Sequence, residues 1–198
     1  MQDDADNRGS KGWPGLIARA RAHDRVALEA LGEHALRIGV RTAAGILRNP
    51  QEVDDVAQEV ALEVLRGLGK LRNPERFEIW THRIATNCAI RTAEATRKRA
   101  SRESLGDLHF DAYADSAPSP DAIAESKMTL AVLRAAIGLL PPRQRAALVL
   151  RHVFDLSQDE IAEVLNCRRG TAGALVSRAL ATLRAGSISQ LKADEEQV

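Results

Sequence analysis

The most informative segment of the sequence is Leu156–Arg184, LSQDEIAEVLNCRRGTAGALVSRALATLR. Its start has the spacing of a capping box, Ser157 followed by Glu160, which predicts the first turn of a helix. The break that follows is predicted at Asn166 and Gly170, because both residue types tolerate left-handed backbone conformations. Two short helices joined by a tight turn are typical of a helix-turn-helix.

The second helix of this motif is basic. Thr171 is placed to cap it. From Val164 to Ala193 there is no Asp or Glu, whereas the same stretch contains Arg168, Arg169, Arg178, Arg184 and Lys192. A surface that docks on phosphates needs this imbalance. DNA binding is therefore the prediction, and an ordinary helical hairpin with solvated arginines is the alternative.

Composition limits the class of protein. The 198 residues are 44% hydrophobic but only 3% aromatic, so the core must consist mainly of aliphatic side chains, which suits packed helices. A net charge of +1 means that any basic surface is local. Cys88 and Cys167 have no metal-ligand spacing, which favours a reducing cytoplasm without a metal or cofactor. No apolar run approaches the ~20 residues of a membrane span, so no membrane insertion is expected.

Helical periodicity and its interruptions divide the chain. We predict an all-α fold of two small helical domains joined by a flexible linker, with the helix-turn-helix in the C-terminal domain. The predicted limits are a disordered N-terminal segment (1–22), a first helical domain (23–100), a Ser-, Asp- and Pro-rich linker (101–120), a second helical domain (121–186) and a tail (187–198).

Two helices of the first domain have unusual charges. In the helix at about Glu52–Leu68, carboxylates continue beyond the first turn at Glu59 and Glu63, so the face is either solvated or the dock of a cationic partner. The helix Phe77–Ala100 presents polar side chains at four-residue steps, and its end is more cationic than the helix dipole requires. The polar side chains are Arg83, Asn87 and Arg91, and the cations of the helix end, Arg97, Lys98, Arg99 and Arg102, are candidates for phosphate contact.

Three blocks together resemble the extracytoplasmic-function sigma factors of bacterial RNA polymerase. They are EVDDVAQEVALEVL (Glu52–Leu65), FEIWTHRIATNCAI with the later RKR (Phe77–Arg99), and LPPRQRAALVLRHVFDLSQDEIAEVLNCRRGTAGALVSRAL (Leu140–Leu180). In that family the first block holds core polymerase, the second contacts the downstream promoter element, and the third reads the upstream element. The blocks lie in the family's order and spacing.

The resemblance assigns roles to particular residues. Polymerase binding falls to Asp54, Asp55, Gln58 and Glu59. Downstream-element contact falls to the Lys70–Phe77 loop and the polar residues of Phe77–Ala100 named above. Upstream-element contact falls to Arg168, Arg169, Thr171, Gly173, Ala174, Ser177 and Arg178. The implied partners are core RNA polymerase, promoter DNA and an anti-sigma factor; the chain would be a cytoplasmic initiation factor, not an enzyme.

The sequence also departs from the family pattern. Arg91 replaces the usual Asp, and Gly173 and Leu175 replace basic residues in the recognition helix, where a glycine costs ~1 kcal/mol. Trp80 matches a family tryptophan but falls on the apolar face, which predicts a core role. Two other functions remain open: a stand-alone helix-turn-helix regulator, and a nuclease with Asp54, Asp55 and Glu59 on a metal ion.

Overall fold

The computed structural model describes residues 12–103 and 136–195, and within these ranges all regular structure is helical. The α-helices are α1 (Trp13–Arg21), α2 (Arg25–Ile46), α3 (Pro50–Gly67), α4 (Phe77–Glu103), α5 (Pro142–His152), α6 (Gln158–Val164) and α7 (Arg169–Glu195). Two 3₁₀ turns, Leu68–Lys70 and Pro74–Arg76, connect α3 to α4. The all-α prediction is confirmed. The predicted linker, 101–120, and the start of the predicted second domain lie largely outside the described residues.

Local side-chain contacts begin several of these helices. The Asp24 carboxylate accepts hydrogen bonds from the Val26 and Ala27 amides at the start of α2. Asn49 caps α3 in the same way, and Pro50 fits the first turn because that turn needs no amide donor. The predicted capping box is present, with Ser157 and Glu160 satisfying each other's backbone amides at the start of α6.

The N-terminal region differs from the expectation of disorder through residue 22. Residues Trp13–Arg21 form α1, with Ile17 fully buried. Trp13 packs against His34 and Phe77 at ring-centroid distances of 4.6 and 4.8 Å. Pro14 occupies the first helical turn, so the Trp-Pro-Gly sequence starts a helix here and does not form the turn that it suggested.

Helices α2, α3 and α4 pack around a common core of aliphatic side chains and Phe77. Helices α2 and α3 approach each other closely at Gly39 of α2. An added Cβ at this position would lie 2.9 Å from the Ala57 Cα of α3. We call α1–α4 the first half of the molecule. Val56, Val60 and Val64 of α3 all face its interior.

Helices α5, α6 and α7 form the second half. Asn166 has the left-handed conformation predicted for it, with φ of 48°. The predictions of a break at Gly170 and of a helix cap at Thr171 are wrong. Helix α7 begins at Arg169, so both residues lie within its first turn. The helix also continues to Glu195, beyond the predicted domain limit at residue 186.

The two halves are in contact. Arg145 of α5 donates from Nη1 to the carbonyl oxygen of Ile46 at 2.6 Å, and Arg41 of α2 donates to the carbonyl oxygen of Val153 at 2.8 Å. His82 packs edge-on against Phe154 with 4.4 Å between ring centroids. We call this packing of the second half on the first the closed arrangement. The division into two domains at the predicted limits stays a prediction.

Candidate functional site

A basic pocket lies where the turn after α3 meets α4 and α6. Its volume is about 280 Å³. Four of its side chains are cationic. Trp80, for which the sequence predicted a core role, is only partly buried: it packs against the core and also lines the pocket, where it supplies an aromatic surface. The lining residues are Lys70, Leu71, Arg72, Asn73, Arg76, Ile79, Trp80, Arg83 and Glu163. The pocket therefore offers cations and a ring to a ligand that carries negative charge and planar groups.

Contacts distant in sequence hold the pocket in shape. Arg21 of α1 donates from Nε and Nη2 to the carbonyl oxygen of Leu68, at 3.1 and 2.8 Å, and also to that of Leu71. Trp80 packs over Gly67, where an added Cβ would lie 2.8 Å from the indole ring. Sequence reasoning missed the role of Arg21, because nothing in the sequence of α1 indicates which carbonyls it reaches.

One wall of the pocket comes from the second half. Glu163 of α6 forms an ion pair with Arg76. Glu160, one turn earlier, is also close enough to Arg76 for that cation to help lower its pKa, although the Ser157 hydroxyl is the main cause. Nothing in the sequence indicates that these carboxylates lie beside the residues predicted to contact the downstream element.

The structure separates the downstream candidates into three environments. Arg83 lines the pocket, whereas Asn87 lies exposed one turn further along α4. Arg97, Lys98 and Arg99 are exposed near the end of the same helix. Arg91 turns toward α3, where its Nη2 lies 2.8 Å from Glu59 Oε1 and 3.7 Å from Glu63 Oε1.

The acidic face of α3 is open. Asp54, Asp55 and Gln58 are exposed, and Glu59, although paired with Arg91, is exposed as well. Beside this face, α2 and α3 form an apolar groove of about 350 Å³ that contains Leu28, Leu36, Ala61 and Leu65, with Glu29 and Glu33 also in its lining. Apolar surface bordered by carboxylates suits a partner helix that combines apolar and cationic side chains.

Three side chains of this region lie close enough to share a metal ion. One potential ligand atom from each of Glu59, Glu63 and Cys88 lies within 4.8 Å of the others. Arg91 lies against all three and offers positive charge to both carboxylates. Burial, together with the two carboxylates, raises the pKa of the Cys88 thiol to about 12, which keeps it protonated. Within the described residues, Asp54 and Asp55 belong to no such group, so the triad of the nuclease hypothesis is not assembled.

The residues predicted to contact the upstream element lie on α7 or, for Arg168, directly before it. Arg168, Arg169, Thr171, Ser177 and Arg178 are exposed, and Gly173 and Ala174 are half-buried. The closest ion pair of Arg169, to Asp159 at 3.4 Å, joins two exposed side chains and holds them weakly.

The unusual Gly173 has a structural explanation. Gln158 of α6 lies directly over it and donates from Nε2 to the carbonyl oxygen of Arg169 at 2.8 Å. A Cβ at position 173 would collide with the amide of Gln158. The glycine therefore allows a side chain of the first motif helix to pack on the backbone of the second.

Two buried histidines have strongly lowered pKa values. Burial lowers the pKa of His82 to about 4, with His34 and Arg41 adding to the effect and Glu160 opposing it. Burial and Arg37 lower the pKa of His34 to about 4 as well. Both rings are therefore neutral at pH 7.

In the part of the chain that the structure describes, no helix is both long and apolar enough to cross a membrane.

Two sequence profiles of known families match the chain. The profile of Sigma-70 region 2 matches residues 33–101, and that of Sigma-70 region 4 matches residues 130–183. The first match covers much of α2, all of α3 and nearly all of α4, with every pocket-lining residue except Glu163, and the second covers the helix-turn-helix.

Curated proteins with similar sequences carry related names. The chain is 33% identical over 156 residues to the ECF RNA polymerase sigma factor SigE of Mycolicibacterium smegmatis, covering 79% of this chain and 59% of that protein. It is 31% identical over 172 residues to the RNA polymerase sigma-H factor of Pseudomonas aeruginosa, covering 83% of this chain and 88% of that protein.

Solved structures share the fold. CnrH in complex with the cytosolic domain of CnrY matches with a TM-score of 0.63 at 22% identity, covering 92% of this chain and 99% of that one. The sigma factor RpoE in complex with the anti-sigma factor NepR from Bartonella quintana matches with a TM-score of 0.59 at 20% identity, covering 77% and 91%.

Proposed function

Because the chain belongs to the sigma-70 factors of the extracytoplasmic-function type, it directs promoter-specific transcription initiation by RNA polymerase, and we propose that its basic pocket receives the downstream promoter element. The observation that carries this proposal is the joint presence of Trp80, Asn73 and four cations around one cavity of about 280 Å³. Single-stranded DNA is bound by aromatic stacking of bases and by cations on phosphates. A pocket of this composition fits an unstacked base and its flanking phosphates at the point where the duplex opens.

In this proposal, α7 and the preceding Arg168 bind the upstream promoter element. Arg168 and Arg169 precede the helix or open it, and Arg178 lies further along the same motif, all of them exposed. Arginines reach phosphates or the major-groove edge of guanine. Thr171, Gly173, Ala174 and Ser177 leave room for close approach but supply few hydrogen-bond donors, so the arginines supply most of the affinity.

Core polymerase binds the acidic face of α3 in this proposal. Asp54, Asp55 and Gln58 are exposed, Glu59 flanks them, and the apolar groove beside them gives the same partner a place to bury apolar side chains. Complementary charge speeds and orients such an encounter, while apolar burial supplies the larger share of the binding free energy.

The proposed role contains no catalytic step. The chain acts as an initiation factor in the cytoplasm, where it meets polymerase and promoter DNA. CnrH and RpoE were solved with CnrY and with the anti-sigma factor NepR, respectively. We include a regulator of that class among the partners of this chain.

In-vitro transcription with core polymerase over a promoter library tests this function. We expect specific transcripts only when the chain is present, and fewer open complexes with Arg83→Ala, which removes a cation from the pocket. Arg37→Ala is the matched control, because Arg37 is exposed on α2 and does not line the pocket.

Two results would contradict the proposal. Tight, sequence-specific duplex binding by the chain alone, without promoter-directed transcription, would support a stand-alone regulator. Metal-dependent cleavage of the DNA would support the nuclease hypothesis.

A further inference from the structure

Arg145 of α5 is a buried cation that forms no ion pair among the described residues. Its side chain belongs to a residue that is 9% exposed, and its Nη1 donates to the carbonyl oxygen of Ile46. Its Nε is buried and has no hydrogen-bond partner in the same part of the chain. A guanidinium has five N–H groups to satisfy, and a buried charge is costly unless it is paired. One carbonyl therefore leaves Arg145 with N–H groups and charge for a further partner.

Two further arginines lie close to Arg145. Arg48 comes two positions after Ile46, the last residue of α2, and its guanidinium lies directly over Gly138, in the segment that leads into α5. Arg97 belongs to α4. Burial lowers the pKa of Arg145, and the charges of Arg48 and Arg97 lower it further. We call Arg48, Arg97 and Arg145 the arginine cluster; α2, α4 and α5, from which or next to which they come, all pack on one another.

Within the described residues, no carboxylate forms an ion pair with the arginine cluster. Elsewhere in the same ranges, arginines do pair with carboxylates, namely Arg19, Arg25, Arg76, Arg91 and Arg169. The carboxylate nearest to Arg48 in sequence, Glu52, accepts a hydrogen bond from the Thr96 hydroxyl at 2.6 Å instead. The dipole of α2 places about half a negative charge at its carboxyl end, which offsets only part of three positive charges. The cluster therefore has an excess of positive charge.

The chemistry of the cluster suits a phosphate group. A guanidinium forms two parallel hydrogen bonds to a phosphate, and several guanidinium groups can share its oxygens and its charge. Arg145 is already fixed by its bond to the Ile46 carbonyl, so little of its side-chain freedom remains to be lost on binding. Arg48 and Arg97 are exposed, so an anion can reach the cluster from solvent.

We propose that the arginine cluster is a binding site for a phosphate group, in which Arg145 supplies a fixed cation and Arg48 and Arg97 contact the ligand from the solvent side. The lining of the basic pocket contains none of these three residues, so the site is separate from that pocket and does not depend on its function. Free phosphate and the backbone phosphates of DNA offer the cluster the same chemical group. A bound phosphate stabilises the folded chain, because it binds residues that only the packed helices bring together.

Calorimetric titration of the full-length chain with inorganic phosphate, at constant ionic strength and without polymerase, tests this site. Arg48→Gln and Arg97→Gln each remove one exposed cation of the cluster and leave the core intact. Arg99→Gln is the matched control, because Arg99 is exposed on α4 and two positions along a helix lead to its opposite side. We expect each cluster variant to bind phosphate about tenfold more weakly than the wild type, the effect of losing one charge-assisted hydrogen bond. Arg99→Gln should bind like the wild type, and phosphate should raise the midpoint of thermal unfolding of these two proteins most.

Two outcomes would overturn the proposal. One is that the wild type binds no phosphate at millimolar concentrations, and the other is that Arg48→Gln and Arg97→Gln bind it as well as Arg99→Gln does. A second titration, with a saturating single-stranded oligonucleotide that lacks a terminal phosphate, distinguishes the two sources of the ligand. Loss of phosphate binding in its presence would show that the cluster receives a backbone phosphate of DNA. Unchanged phosphate binding would show that the cluster receives free phosphate independently of DNA.

Discussion

The guanidinium of Arg145 satisfies the carbonyl oxygen of Ile46, the last residue of α2, at a distance of 2.6 Å. The final carbonyls of a helix have no partner within it, so they must find one elsewhere. Here the partner comes from α5, 99 positions along the chain. One half of the molecule therefore completes a helix end of the other, and the cost of separating them includes the exposure of that carbonyl.

Replacement of this arginine should weaken closure. Arg145→Ala leaves the Ile46 carbonyl without its partner, which costs ~1–3 kcal/mol while the carbonyl stays buried. The open arrangement avoids this cost because water reaches the carbonyl. We expect a larger radius of gyration by X-ray scattering and a lower midpoint of thermal unfolding.

Arg143→Ala is the matched control for this change. Arg143 lies on the same helix and donates to the Leu165 carbonyl oxygen at 2.8 Å, entirely within the second half. It should reduce stability without expanding the chain. Equal radii of gyration for the two variants would mean that the Arg145 bond does not hold the halves together.

Acid should open the closed arrangement through His82. Its pKa is about 4 in the closed chain against an ordinary value of 6.5, so the closed form binds fewer protons than the open form between these values. The stabilising effect of the neutral ring is complete above pH ~6.5 and is lost as the pH falls toward 4. Arg41 and His34 add to the lowered pKa, and Glu160 opposes it.

Scattering between pH 7.5 and 5 measures this effect. We expect the radius of gyration of the wild type to rise as the pH falls, and His82→Phe, which keeps an aromatic ring beside Phe154, to respond less. An identical response in both proteins would assign the acid sensitivity to other groups, such as His34 within the first half.

Reversal of charge on α3 should abolish polymerase binding. Asp54 and Asp55 are exposed and unpaired among the described residues, so Asp54→Arg with Asp55→Arg changes the surface without breaking an internal contact. Pull-down of core polymerase should fall to background while circular dichroism stays unchanged. Glu59 suits this test less well because it pairs with Arg91.

The control for α3 is Glu94→Arg, a reversal of charge at an exposed position of α4. It should leave polymerase binding near the wild-type level. If the double variant on α3 still binds core polymerase as well as Glu94→Arg does, the dock lies elsewhere.

The effect of replacing Arg168, Arg169 or Arg178 on DNA affinity should depend on whether the arginine contacts a phosphate or a base. An arginine on phosphate, replaced by Ala, weakens binding to all sequences and lowers the salt slope by about one unit. A bidentate guanine contact instead costs ~1–3 kcal/mol at one base pair and relaxes specificity there. The measurement is affinity of the polymerase-bound chain for an upstream-element library, with Arg168→Ala, Arg169→Ala and Arg178→Ala tested singly.

Arg25→Ala serves as the control, because Arg25 is exposed on α2 and pairs only with Glu29 within the described residues. If none of the three arginine variants differs from it in affinity, salt slope or base preference, this face does not meet DNA.

Substitution of Gly173 should be close to neutral for stability. Gly173→Ala improves helix propensity by up to ~1 kcal/mol but displaces the Gln158 amide, whose hydrogen bond to Arg169 is worth ~0.5–1.5 kcal/mol. Gly170→Ala meets no atom within 4 Å and should stabilise the protein by a few tenths of a kcal/mol or more. Chemical unfolding compares the two. A clear stabilisation by Gly173→Ala beyond that of Gly170→Ala would mean that the Gln158 contact contributes nothing.

Features that depend on residues close together in the sequence could be predicted before the structure was known. Ser157 and Glu160 predicted a capping box, and Asn166 predicted a left-handed residue at the break between the two motif helices. Each depends on residues within a few positions of one another, where backbone geometry fixes which groups can meet. The resemblance of three ordered blocks extended this local information to the family.

The contacts between residues that lie far apart in the sequence could be seen only in the packed fold. Arg21 reaches Leu68 across 47 positions, and Glu163 reaches Arg76 across 87. Arg91, predicted as a DNA contact from its position on α4, also pairs with Glu59 of α3. The position of α1 also depends on distant residues, because Trp13 packs against the rings of His34 and Phe77. Such contacts depend on how whole helices pack, and the periodicity of one helix shows which face is buried but not which residue of another helix will meet it.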